Sequence, residues 1–69
     1  MVMIPVVSRN ISAIGYKDGT LRIKFKSGSL HEYNNVPQHV YDSLMSAGSK
    51  GGFYNTHIRG RYGKSTKLN

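Results

Sequence analysis

From Ser49 to Tyr62 the chain reads SKGGFYNTHIRGRY, which sets Lys50, His57, Arg59 and Arg61 among Phe53, Tyr54 and Tyr62. Cations interleaved with aromatics suit the binding of a nucleic-acid strand. Lys and Arg neutralise phosphates, and aromatic faces stack on unpaired bases, worth roughly 1–3 kcal/mol per base. Lys64 and Lys67 continue the positive run, and Asn55 adds an amide that can hydrogen-bond a base edge or a ribose hydroxyl. The candidate contacts are therefore Lys50, Tyr54, Asn55, His57, Arg59, Arg61, Tyr62, Lys64 and Lys67. The aromatics have a plainer use, closing the open end of a thin core while the arginines stay in water. Phe53 is assigned to that core; Tyr54 and Tyr62 stand open to either use.

Other chemistries find little support. His31, His39 and His57 lack a ligand spacing such as His-x₃-His and have no carboxylate cluster nearby, so no metal site and no cofactor are expected. Only Asp18, Glu32 and Asp42 are acidic. General acid–base work needs a histidine with an orienting partner, and a covalent mechanism needs an activated nucleophile. Nothing in the pattern supplies either, so no catalytic residue is assigned and the chain reads as a non-enzyme. The glycine-rich run Gly48-Ser49-Lys50-Gly51-Gly52 lacks the Lys-Ser/Thr ending of a phosphate loop and reads as a mobile connection.

Ten Lys and Arg against three Asp and Glu give a formal charge of +7 on 69 residues. A field of that sign attracts polyanions. A chain this short buries only ~60% of the surface it exposes when unfolded, so one marginally stable domain is expected. With no cysteine there is no disulfide or thiolate metal site to reinforce it, which fits a cytoplasmic setting better than a small secreted one. No apolar run approaches the ~20 residues of a membrane span. The opening MVMIPVVSRN, interrupted by Pro5, is too short for a signal peptide and is expected to add an edge segment or pack under the sheet.

The elements that position these residues follow from turn chemistry and periodicity. Asp18-Gly19, between NISAIGY and TLRIKF, is a two-residue hairpin turn; it pairs Tyr16 with Leu21, Ile14 with Ile23 and Ser12 with Phe25. A second turn, Lys26-Ser27-Gly28 with Gly28 left-handed, pairs Ile23 with His31, Arg22 with Glu32 and Leu21 with Tyr33. The two registers agree. One face collects Ile14, Tyr16, Leu21, Ile23, Phe25, His31 and Tyr33; the other shows Arg22, Lys24, Leu30 and Glu32 to water. Val36, Val40, Tyr41 and Leu44 recur at helical spacing, with Pro37 at the start and Gly48 past the end. The fold class is α+β: an antiparallel meander of three strands at about 11–17, 20–26 and 29–34, with one helix at about 37–47 packed on its apolar face. Residues 52–59 form either a short helical turn, capped by Ser49 and favoured because Phe53 and Ile58 then anchor the core together, or a fourth strand. Residues 63–69 read as a flexible basic tail to a domain spanning 1–62.

The order SGS-LHEY-NNVP followed by VYDSLMSAGSKGGFYNTHIRGRY resembles the KTSC domain, found at the C-terminus of some lysyl-tRNA synthetases and as free-standing bacterial or phage proteins. The resemblance runs from Pro5 to Tyr62 and is strongest at Val36-Pro37, Tyr41, Ser49, Gly51, Phe53, Asn55, Ile58 and Arg59. The family typically carries Tyr-x-Tyr at the end of the third strand, where this chain has His31-Glu32-Tyr33. Attachment to a tRNA-charging enzyme implies RNA as partner, either transfer RNA or a single strand. The expectation is a monomeric, basic, non-enzymatic RNA-binding module that does not engage membranes. Its rival is a phage or bacterial accessory protein that docks on an acidic protein surface, a role that an exposed apolar patch at Met1, Val2, Met3 and Ile4 would favour.

Overall fold

Asp18 and Gly19 both take positive φ, 50° and 82°, as a two-residue hairpin turn requires. In the computed structural model, which describes residues 1–62 and 65–69, this turn joins β2 (Ile11–Lys17) to β3 (Thr20–Phe25). Gly28, at φ 100°, closes the second hairpin onto β4 (Leu30–Tyr33). The expected pairs Tyr16–Leu21, Ile14–Ile23, Leu21–Tyr33, Arg22–Glu32 and Ile23–His31 all form.

Two short strands widen the meander. β1 (Ile4–Pro5) pairs antiparallel with β2, and β5 (Thr66–Lys67) pairs antiparallel with β4, giving five strands in sequence order. β1 is the edge segment expected of the apolar start. The three-strand, free-tail expectation is corrected at the other end. Leu68 donates its N–H to the Leu30 carbonyl at 2.8 Å, and the Leu30 N–H reaches Asn69 Oδ1 at 3.0 Å. The backbone groups that Leu30 turns outward thus find partners in residues 66–69.

A second correction falls at Ser12. Phe25 pairs with Ile11 rather than Ser12, because Ser12 is the extra residue of a β-bulge between Ile11 and Ala13. The Ser12 carbonyl accepts from the Val6 N–H at 3.1 Å, tying the bulge to the chain leaving β1. The bulge resets the alternation, so Ile11 is turned into the core and fully buried. Leu30, expected in water, is half-buried.

α1 (Gln38–Ser46) begins after Pro37, and its Val40 and Leu44 complete a core with Ile11, Ile14, Leu21, Ile23, Tyr33, Val36 and Ile58. The helix is held to the first hairpin at two points. The Val36 N–H bonds the Gly19 carbonyl at 2.8 Å, and the Tyr16 hydroxyl donates to the Val36 carbonyl. Tyr16 and Tyr41 then stack, ring centroids 4.8 Å apart. β1 has its own anchor: a Cβ on buried Gly15 would lie 2.7 Å from Met3 Sδ and 2.9 Å from the Val2 carbonyl, so the chain before β1 sits directly on this glycine.

Candidate nucleic-acid interface

After α1 the chain turns at Gly48 and re-enters a helix whose first turn is capped by Ser49, with Oγ accepting from the Gly52 N–H at 3.2 Å. α2 (Lys50–Phe53) runs on into a π-helical segment, Tyr54–Ile58, where the Arg59 N–H bonds the Tyr54 carbonyl five residues back at 2.9 Å. The strand alternative for 52–59 is therefore excluded. In an α-helix, positions five apart point ~140° away from each other. The wider turn brings Phe53 and Ile58 to the core side together. Ile58 is fully buried and Phe53 partly so, while Asn55, Thr56 and His57 all face water.

Arg59 and Arg61 flank Gly60, whose φ of 74° makes the turn that ends this helix, and both arginines are exposed. Neither is ion-paired among the described residues, where the salt bridge found is Arg22 to Glu32 at 2.6 Å on the other face of the sheet. Lys50 is half-buried; its Nζ donates to the Ala47 carbonyl at 3.0 Å, capping the end of α1 and keeping two N–H groups in reserve. Lys67 is exposed on β5 directly across from His31. His31 Nδ1 is bonded to Ser65 Oγ at 3.2 Å, and its ring meets Phe25 edge-on at 5.6 Å. His57 lies against the Phe53 ring at 4.5 Å. Lys64 falls outside the described residues.

The aromatics pack on the core. All five tyrosines and both phenylalanines either belong to the core or pack against it. Tyr54 is hydrogen-bonded through its hydroxyl to Tyr33 and sits edge-on to Phe25 at 5.3 Å. Burial, reinforced by the bond to Tyr33, pushes the Tyr54 phenol well above its ordinary range, and this outweighs the opposite pull of the nearby Arg59 charge. Tyr62 is half-buried against the same core. The structure thus gathers Asn55, His57, Arg59 and Arg61 at one exposed helix end and sets Tyr54 into the rim of the core. On the outer sheet face Lys17, Lys24 and Lys26 are exposed.

One cation escaped the sequence reading. Arg9 lines an open cleft of about 490 Å³ between residues 7–9 and 48–51, on the same rim as Lys50. The available signal was a serine followed by a cation in both places, Ser8-Arg9 and Ser49-Lys50, but nothing local says that the two meet.

The KTSC domain family model matches residues 7–62. The chain belongs to the KTSC domain family. The match takes in both walls of the cleft, the meander, α1 and the π-helical segment, and stops before β5. A crystal structure of a KTSC domain protein from Yersinia pestis superposes with a TM-score of 0.91 at 34% identity, covering 99% of this chain and 97% of that one. A protein from Tsukamurella paurometabola is 37% identical over 62 residues, 87% of this chain and 92% of its own length. The lysine–tRNA ligase of Nostoc punctiforme is 46% identical over 46 residues, which is 67% of this chain but only 8% of the ligase. The KTSC domain therefore occurs both at nearly the full length of a small protein and as a minor part of a large enzyme.

Proposed function

We propose that this KTSC domain is a non-enzymatic, monomeric cytoplasmic module that binds RNA, single-stranded or transfer RNA, through the exposed end of its second helix. The observation that carries the reading is the pairing state of Arg59 and Arg61. Both reach water at one turn, and no carboxylate of the described residues neutralises either. Asn55 and His57 precede the two arginines in the same helical segment and offer polar contacts, while Lys50 at the start of α2 and Lys67 on β5 add to the positive field. The likeness to lysine–tRNA ligases supports RNA as the polyanion. Because the aromatic faces are engaged in the core, electrostatics supplies most of the affinity and base stacking little. Among the described residues no helix is long and apolar enough to cross a membrane.

Titration with a single-stranded RNA and with transfer RNA at two salt concentrations tests this. Four phosphate contacts, from Lys50, Arg59, Arg61 and Lys67, give a slope of log affinity against log salt near roughly −2.8 on a single strand. Replacing both Arg59 and Arg61 with alanine lowers its magnitude by about 1.4. Absence of salt-sensitive binding even at low ionic strength defeats the reading.

A second reading rests on a different surface. Met1, Val2, Ile4 and Val7 are exposed, with Val2 at 80% and Val7 at 98%. Met1, Val2 and Ile4 line a groove of about 330 Å³ with Tyr16, Tyr41 and Lys17. An apolar groove with a lysine at its rim suits docking on an acidic protein segment. A partner recovered from bacterial lysate after nuclease treatment, and lost in Val2→Asp, supports docking; loss of every partner on nuclease treatment leaves the RNA reading alone.

A further inference from the structure

We infer that the cleft between residues 7–9 and 48–51 is a binding site for a phosphorylated ligand of about nucleotide size. The sign of the ligand is set by the lining. Arg9 and Lys50 contribute cations, and no carboxylate lines the cleft. Asp18 lies in the first hairpin turn, Glu32 is paired with Arg22, and Asp42 bonds Gln38 on α1.

The two serines are donors held in place. Ser8 Oγ accepts from the N–H groups of Asn10 and Ile11, at 3.3 and 3.2 Å, and Ser49 Oγ accepts from Gly52. Each oxygen is fixed by backbone, which leaves its own hydroxyl hydrogen to donate outward. The Lys50 ammonium is likewise steered by the Ala47 carbonyl with two N–H groups to spare. Two hydroxyls, an ammonium and a guanidinium match the several acceptor oxygens of a phosphoryl group better than the two of a carboxylate. The two walls meet at Gly51, where a Cβ would sit in ordinary van der Waals contact, 3.5 Å from Asn10 Nδ2 and 4.0 Å from Ser8 Oγ. The volume, about 490 Å³, exceeds what a lone phosphate fills and falls in the range of small-molecule sites. Val7 supplies an apolar wall for the attached sugar or base.

The site goes beyond the RNA reading, because Arg9, Ser8 and Ser49 lie outside the helix end that carries it. The phosphoryl group has two sources, a free nucleotide or a residue of an RNA strand, and one experiment separates them. Amide chemical shifts of the whole chain are followed by NMR while adenosine 5′-monophosphate, inorganic phosphate or a short RNA is added at constant ionic strength. With the mononucleotide, saturable shifts confined to residues 7–11 and 48–52, weakened about tenfold in Arg9→Ala by loss of a charge-assisted contact, are the expected result, while RNA also shifts residues 55–61. If Arg9→Ala also weakens RNA binding, the ligand is a nucleotide of the strand; if RNA binding is untouched, the ligand is free in solution. Shifts scattered over all lysines and arginines, or none at millimolar nucleotide, overturn the site. RNA binding abolished by Arg59→Ala/Arg61→Ala with no cleft shifts would then leave the RNA reading standing alone.

Discussion

Tyr54→Phe removes one oxygen atom and asks whether this residue belongs to the core or to a binding surface. In the structure its hydroxyl bonds that of Tyr33, a residue only 3% exposed. Phenylalanine keeps the ring packed on Phe25 but leaves the Tyr33 hydroxyl without that partner. Loss of the bond and desolvation of the orphan together cost about 1–3 kcal/mol. A chain of 69 residues has a total stability of roughly 3–10 kcal/mol, so the variant forfeits a substantial part of it. The melting midpoint falls by about 4–8 °C for each kcal/mol. Tyr33→Phe/Tyr54→Phe recovers much of the loss, because neither hydroxyl is then stranded. The pH dependence supplies an independent readout. Below about pH 10 the phenol is protonated in both folded and unfolded chains and adds no slope. Above it the unfolded chain ionises while the raised phenol of the folded chain keeps its proton. Stability therefore drops as pH rises, by at most about 1.4 kcal/mol per unit, and less because part of the ring is wet. Tyr54→Phe loses that component. Urea unfolding followed by circular dichroism at pH 7 and across pH 9.5–11 measures both. Equal midpoints at pH 7 and parallel alkaline profiles would refute the core assignment, and a loss of RNA affinity at unchanged stability would return Tyr54 to the binding surface.

Leu44, fully buried on α1, is the joint between helix and sheet; Leu44→Ala costs about 2–5 kcal/mol, enough to populate unfolded chain visibly in a thermal melt. Gly15→Ala places a methyl against Met1, Met3 and the Val2 carbonyl, so residues 1–5 lose hydrogen-exchange protection at an overall cost of about 1–3 kcal/mol, whereas the hairpin amides of β3 and β4 stay protected. Deleting residues 65–69 strips β5 from β4, and the Leu30 amide, bonded to Asn69, then exchanges at the rate of an open edge; unchanged protection there would show that the strand does not hold in solution.

The hairpins were legible because their determinants are local. Asp18-Gly19 and Gly28 dictate turn geometry within two or three residues, and the turns dictate register. The bulge at Ser12 was not, since no turn residue or break in the alternation marks it, and it shows only in the Ile11–Phe25 pairing and in the Val6 N–H that meets the Ser12 carbonyl. β5 stayed hidden for a related reason: two residues, Thr66 and Lys67, carry no periodicity, and their pairing is specified by the free edge of β4. In the candidate interface, exposure of Arg59, Arg61 and Asn55 follows from residue type. The fate of Tyr54 does not, because a tyrosine at a core rim and one on a binding surface read alike until Tyr33 and Phe25 are seen beside it. Arg9 was missed because its neighbour across the cleft lies some forty positions away in the chain.

The π-helical turn has a consequence for whatever meets this surface. Asn55, Thr56 and His57 are three successive side chains all directed outward, a display that loops achieve and an ordinary helix splits between its sides. A loop must surrender about 1–2 kcal/mol of backbone freedom per residue when a ligand fixes it. Here that ordering is complete before contact, since the backbone is already fastened by Phe53 and Ile58 beneath it. A weak, water-exposed set of groups can thereby discriminate by shape, holding a fixed stencil of amide, hydroxyl and imidazole against the incoming molecule.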